Sequence, residues 1–418
     1  MKILKTFTAA LAGIIVCTGA VAAQSHNCCE NKGKTHIVYC NDSIKVGAEQ
    51  PELYMPLLKG KKLALYTNHT GKVAGPEGPY TRHTVDALRE NGLDVQVIFT
   101  PEHGFRGTAD AGEEVSTSVD PETGITLASL YGPGRKENLE KFVDAVDVVV
   151  VDIQDVGLRF YTYYCTMVEL MDEAARKGKQ VVVLDRPNPN GMYVDGPILD
   201  MKYESGVGRL PITVVHGLTM GEIANMANGE KWLKSGKQVK LDVVLVRNYT
   251  HQSYYKLPVA PSPNLRDMLS IYLYPAMCYF EATKVSLGRG TDKPFEIYGH
   301  PDFDPAKYSF SFTPRSVDGA KNPPQLDNLC HGVDLSGMCE KEAIARGVDL
   351  TYIIDAWNAL GRPEMDKYFR SFFELLIGRG DIRDMIAKGM TADQIKATWA
   401  GDVEKFKQQR KPYLLYAE

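Results

Sequence analysis

Val148-Val149-Val150-Val151-Asp152-Ile153-Gln154-Asp155 is an apolar tetrad that runs straight into two carboxylates and an amide. Four consecutive β-branched residues do not alternate between core and solvent. They form the pattern of a strand buried on both faces, as in a parallel sheet. Two more stretches share this design: residues 95–100 before Glu102-His103-Gly104, and residues 181–184 before Asp185-Arg186-Pro187-Asn188. Helix-patterned spans at 137–145 and 166–177 separate the three, and such alternation predicts parallel neighbours joined by right-handed crossovers. In an open α/β sheet ligands bind beyond the carboxyl ends of the strands. The chain thus gathers carboxylates, a histidine, arginines and amides along one edge, which is the outline of an enzyme site.

Outward from this centre, residues 47–58 predict a short helix and residues 63–67 the first strand. Residues 83–91 have helical spacing closed by Gly92, a good residue after a helix end. Residues 219–232 read as another helix and 241–246 as a further strand. Thr67-Asn68-His69-Thr70-Gly71, after the first strand, lacks the glycine fingerprint of a dinucleotide site, and no Walker sequence occurs. The sheet is therefore expected to be Rossmann-like without a nucleotide, and no cofactor is called for. Pro258-Val259-Ala260-Pro261-Ser262-Pro263-Asn264 is the densest proline stretch and marks a boundary. The expected architecture is α/β: a Rossmann-like parallel-sheet domain over residues 49–257, then a smaller α+β domain over 258–418. Helices are expected there at 265–279, 351–360 and 367–376, with the aromatic end 406–416 packed.

A length of 418 residues suits two domains, and 44% apolar with 24% charged residues is the balance of a soluble globular protein. A net charge of −4 gives no basic footprint, which argues against a nucleic-acid partner. Met1-Lys2-Ile3-Leu4-Lys5 opens an apolar run that ends in Ala20, Ala22 and Ala23. Residues 1–23 are thus read as a secretory signal and 24–48 as a leader. Thr6, Thr8 and Thr18 interrupt the run, against a membrane anchor, and bulky Val16 before Cys17 makes lipidation the lesser reading. Export, to the periplasm of a cell with an outer membrane, permits disulfides. Cys17 lies in the signal, leaving seven of the 8 cysteines. Cys28, Cys29 and Cys40, or Cys330 and Cys339, are placed to bridge, while Cys165 and Cys278 lie in apolar contexts. None has metal-ligand spacing. The sequence sets no oligomeric state.

Four segments carry candidate chemistry. In Thr100-Pro101-Glu102-His103-Gly104-Phe105-Arg106-Gly107 a proline fixes the turn and glycines admit a ligand. A glutamate in such a partly apolar setting can act as a general acid; the structural alternative is a helix cap or an ion pair with Arg106. In Asp152-Ile153-Gln154-Asp155-Val156-Gly157-Leu158-Arg159-Phe160-Tyr161-Thr162-Tyr163, alternation would set Arg159, Tyr161 and Tyr163 along one side of a pocket. Here the structural alternative makes Asp152 and Asp155 a helix cap and an ion pair. The loop Asp185-Arg186-Pro187-Asn188-Pro189-Asn190-Gly191 is rigid by composition, with Asn188 as a ligand donor. Beyond the boundary, Gly288-Arg289-Gly290-Thr291 offers backbone and an arginine to an anion, flanked by Glu281 and Glu296. The lone His216 reads as structural.

At Glu102-His103-Gly104, Asp152-Ile153-Gln154-Asp155 with Arg159-Phe160-Tyr161, Asp185-Arg186-Pro187-Asn188-Pro189, Pro261-Ser262-Pro263-Asn264 and Gly288-Arg289-Gly290-Thr291, the chain resembles a bacterial family. It was long catalogued as a domain of unknown function and contains exo-acting β-N-acetylmuramidases of peptidoglycan recycling. The resemblance runs from the leader to Tyr413-Leu414-Leu415-Tyr416. It implies a Rossmann-like domain and a smaller C-terminal domain with the site between them. The implied activity is removal of N-acetylmuramic acid from the non-reducing end of peptidoglycan-derived muramyl saccharides.

On that reading Arg159 or Arg289 would pair with the lactyl carboxylate. Asn188, Gln154 and Tyr161 would meet the N-acetyl group, and His103, Asp155, Tyr163 and Asn264 complete the expected substrate contacts. Glu102 is the expected acid. Asp152 is the candidate nucleophile or base, with Glu281 and Glu296 as substitutes. A third route has the substrate's acetamido oxygen attack, oriented by Asp152 or Asp155. Two rivals stand beside this reading. One is a metal-dependent hydrolase using His69, His103, Asp152 or His216. The other is a non-catalytic cell-wall glycan-binding protein on the same fold.

Overall fold

The computed structural model describes residues 37–101, 105, 117–132 and 134–418. In chain order the strands of the first half are β1 (Lys62–Tyr66), β2 (Lys72–Gly75), β3 (Gly78–His83), β4 (Asp94–Thr100), β5 (Ser118–Val119), β6 (Thr126–Ser129), β7 (Val148–Val151), β8 (Gln180–Leu184) and β9 (Lys240–Val244). Seven form one sheet in the order β5-β6-β4-β1-β7-β8-β9. Every pairing in it is parallel except that of the short edge strand β5. Without β5, this is the 3-2-1-4-5-6 order of a doubly wound sheet, whose ligand crevice lies where strand order reverses, beside β1 and β7. The β2–β3 hairpin and β6 were not anticipated, because each is short and only partly apolar.

Alternate residues of the central strands feed two different cores. Ala64, Tyr66, Val149, Val151, Val181 and Val183 face one; Leu63, Leu65, Val148, Val150, Val182 and Leu184 face the other. This is why the valine tetrad is buried at every position. The helices α1 (Pro51–Leu58) and α2 (Thr84–Glu90) cover the second core with Tyr54, Leu58, Val85 and Leu88. On the first face lie α3 (Arg135–Asp144), α4 (Tyr163–Lys177) and α5 (Met220–Gly229). Helix α4 buries Tyr164, Met167, Val168, Leu170, Met171 and Ala174 and stops at Gly178, whose φ of 67° suits a residue without Cβ. Helix α5 opens with a reciprocal cap: the Thr219 hydroxyl accepts from the Glu222 amide, and the Glu222 carboxylate accepts from the Thr219 amide.

The second domain starts with α6 (Met268–Met277) and contains a small antiparallel sheet of β10 (Ile297–His300), β11 (Phe310–Phe312) and β12 (Cys330–Asp334), with β12 in the middle. Helices from Glu340–Arg346 to Ala400–Arg410 complete it. The first core runs without a break through Tyr272, Phe280, Trp357, Phe373 and Trp399 into this domain. The two domains are therefore welded through one face of the sheet. The chain end packs back as well: the Tyr416 hydroxyl donates to Asp185 at 2.7 Å. Cys165 and Cys278 are buried free thiols, and so is Cys330, which means that no Cys330–Cys339 bridge forms.

Candidate active site

Polar residues at the ends of β1 and β7 knit the crevice together. The Asn68 carbonyl oxygen of the side chain accepts from the Thr70 amide at 2.9 Å and the Thr70 hydroxyl at 2.6 Å. That hydroxyl accepts in turn from the Gln154 amide at 3.0 Å. The Asn68 side-chain amide donates to the Tyr163 hydroxyl at 2.9 Å. Both Tyr161 and Tyr163 donate to the Pro261 carbonyl, at 2.7 and 3.3 Å, and His69 Nε2 lies 2.8 Å from the Ala260 carbonyl. The proline-rich segment is thereby bound to the sheet edge.

Several expected ligand groups prove to be internal supports. Asp152 is fully buried, and Arg186 takes both its oxygens, Nε on Oδ1 at 2.6 Å and Nη2 on Oδ2 at 3.0 Å. Burial opposes charge on Arg186, yet the Asp152 carboxylate outweighs it and holds the guanidinium above its ordinary value. Asp152 is thus a strut of the fold, not the nucleophile or base. Arg159 is also fully buried. It donates to the carbonyls of Pro197, Ile212 and Leu376 at 2.8–2.9 Å, so it joins the domains and does not meet a lactyl carboxylate. The alternation that placed it on a pocket wall fails because Gly157 turns the chain at φ 80° and no strand forms there.

Asn188 donates its side-chain amide to the Leu218 carbonyl at 2.9 Å and accepts from the Asn190 backbone amide at 2.8 Å, which leaves it a loop brace and not a ligand donor. Asn264 donates to the Gly319 carbonyl at 2.8 Å. Gln154 donates to the carbonyls of Asp155 and Pro187, while its Oε1 is buried with no partner. Asp155 accepts from the Gly157 amide through Oδ1, its Oδ2 is buried without a partner, and burial pushes its carboxyl up to about 7. Glu296 lies apart from Glu281, in a different hollow beside Asp267. There burial, with the Asp267 carboxylate adding to it, raises its carboxyl to about 7. His216 is buried, accepts from the Leu218 amide and is held low, to about 3, by burial, as a structural histidine. Glu102 and His103 lie outside the described residues.

The structure does bring Tyr161, Tyr163, Glu281 and Arg289 together, around a cavity of about 350 Å³. That volume falls within the roughly 300–1,000 Å³ usual for small-molecule sites. One wall comes from the sheet edge: Leu130 and Tyr131 after β6, Arg135 at the start of α3, and residues 160–163 after β7. Tyr274, Glu281, Arg289 and Phe295 of the second domain also line the cavity. Among the described residues seven aromatics line it, counting Phe160 and Phe372, which suits the apolar face of a pyranose. Arg289 Nη2 pairs with Glu281 Oε1 at 2.5 Å and its guanidinium lies 5.2 Å from the Phe295 ring centre. Burial works against charge on Arg289, but Glu281 holds it above its ordinary value.

Two further arginines were not anticipated. Arg135 and Arg209 both line the cavity and share one anion, Glu169, each on a different oxygen. Burial first, and then the like charge of Arg209, push the Arg135 guanidinium below its ordinary value. A signal was present for one of them: Tyr131-Gly132-Pro133-Gly134-Arg135 is a glycine–proline turn at a ligand-binding strand edge. Thr100, the last residue of β4, accepts from the Leu130 amide at 2.9 Å. The chain therefore enters the Glu102 segment next to a residue of the cavity wall.

Comparison with known proteins matches this arrangement to a family. Residues 63–269 fit the model of the exo-β-N-acetylmuramidase NamZ N-terminal domain, and residues 272–416 that of its C-terminal domain. The chain belongs to the NamZ family. Peptidoglycan β-N-acetylmuramidase NamZ of Bacillus subtilis is 36% identical over 382 residues, covering 87% of this chain and 89% of that protein. Crystal structures of two DUF1343-family proteins from Bacteroides fragilis share the NamZ-type fold seen here. One has 52% identity and a TM-score of 0.82, the other 27% and 0.77; each comparison covers 90% of this chain and 99% of the other.

Proposed function

We propose that the chain is an exo-acting glycoside hydrolase that releases N-acetylmuramic acid from the non-reducing end of peptidoglycan fragments. The observation that carries this reading is the interdomain cavity, lined by aromatics of both domains and with arginines in excess of carboxylates among the described residues. Aromatic faces suit a sugar ring, and an arginine surplus suits the acid that distinguishes a muramyl residue from a neutral amino sugar. Membership of the NamZ family supports the same substrate.

Hydrolysis requires a proton on the leaving oxygen and a second carboxylate at the anomeric centre. Glu102 is assigned the acid, from its place directly after β4. Among the described residues Glu281 is the carboxylate that lines the cavity, so it takes the second role in place of Asp152. Arg289 fixes its side chain. Proton magnetic resonance of the first-formed sugar anomer separates the routes, since retention and inversion require different spacing of the two carboxylates. Incubation with a chromogenic β-N-acetylmuramide tests the activity: release of the chromophore is expected, and binding without release would point to the glycan-binding alternative. Residues 1–23 support export. Fractionation of cells producing the chain with and without them tests that placement.

A further inference from the structure

We propose that Arg135 and Arg209 together bind the lactyl carboxylate of the muramyl sugar, and so set its preference over N-acetylglucosamine, which has a hydroxyl there. This deepens the muramidase reading of the same cavity and rests on it.

The charge balance points to these two residues and away from Arg289. Arg289 has a carboxylate of its own, Glu281, at 2.5 Å. Among the described residues Arg135 and Arg209 have one between them: Glu169 accepts from the first through Oε2 and from the second through Oε1. Among the described residues three arginines thus face two carboxylates, and the positive charge left over belongs to the Arg135–Glu169–Arg209 group. Each arginine spends one nitrogen, Nη2, on Glu169. A guanidinium has five N–H donors, so donors remain on both. On Arg209, Nε is buried with no hydrogen-bond partner.

The arrangement also favours a second anion beside Glu169. Arg135 is the first residue of α3, where the helix dipole disfavours a cation. It faces a second cation, Arg209, across the one carboxylate they share. Arg209 is held in place from behind: its backbone amide donates to the Tyr164 hydroxyl at 3.2 Å, after a tight turn closed by Ser205 and Gly208. A carboxylate in the cavity would relieve the repulsion and satisfy the unused donors at once.

The test is calorimetric binding of N-acetylmuramic acid and of its lactyl methyl ester to the wild-type protein, Arg135→Gln and Arg209→Gln. Binding requires no turnover, so a failure of the muramidase activity is scored separately, by the chromogenic assay. Wild-type protein is expected to favour the acid over the ester by about 10- to 100-fold, the usual range for losing one charged hydrogen-bond partner. Each variant should lose most of that preference while binding the ester as wild type does. Arg209→Lys keeps the charge without the fork and should fall between, which covers the case of a glutamine variant that fails to fold. Equal losses on acid and ester, or an acid preference that survives in both glutamine variants, would overturn the proposal.

Discussion

Arg186 and Asp152 form a two-point ion pair sealed from solvent, with side-chain exposures of 2% and 0%. It ties β8's end to β7's end, and the same guanidinium reaches the Lys72 carbonyl at 3.1 Å. Removing one partner of such a pair strands the other charge in a dry site, at a cost of about 3–5 kcal/mol. Asp152→Ala should therefore lower the urea midpoint strongly. A variant that unfolds like wild type and loses only turnover would return Asp152 to the chemistry.

The buried Asp155 carboxyl makes stability depend on pH. Burial raises it to about 7 from an ordinary 3.8, so the folded chain keeps a proton that the unfolded chain releases. The resulting stabilisation is complete below about 3.8 and is lost as pH rises through about 7. Asp185, raised to about 6 by burial, and Glu296, raised to about 7, act in the same direction. Asp155→Asn removes one of these contributions. Between pH 4 and 8 its stability relative to wild type should improve by more than about 1 kcal/mol. Urea unfolding at the two pH values measures this, and a constant difference would refute it.

Much of this was legible because some residues answer to a single demand. Val148–Val151 is buried on both faces, so every position must be apolar, and the parallel sheet follows. Tyr161, Tyr163, Glu281 and Arg289 reach the cavity from motifs that the sequence singles out. What stayed hidden depends on partners distant in the chain. Nothing local to Arg159 tells that the Leu376 carbonyl will take its guanidinium. Nor does the neighbourhood of Asp152 reveal that Arg186 will occupy both its oxygens. Arg135 and Arg209 come from separate segments and meet only through Glu169 on α4. A strand edge can be read from periodicity; the choice between a strut and a ligand group cannot.

Gly157 is where the reading of alternation broke, and it can be tested directly. Its φ is 80°, and a Cβ there would lie 2.1 Å from Asn188 Oδ1. Asn188 is held by the Leu218 carbonyl and the Asn190 amide, so yielding would break those bonds. Gly157→Ala should cost about 2 kcal/mol or more, from backbone strain and displaced Asn188 together. Thermal unfolding within a degree or two of wild type would show the loop to be pliable.

The central claim is that this cavity hydrolyses muramyl glycosides with Glu102 as the acid. The most direct measurement is the rate of chromophore release from a β-N-acetylmuramide by wild-type protein and by Glu102→Gln, with binding of N-acetylmuramic acid measured on both. The account predicts release by wild type, a fall of about 100-fold or more in the variant, and nearly unchanged binding. Release by Glu102→Gln at close to the wild-type rate would contradict it.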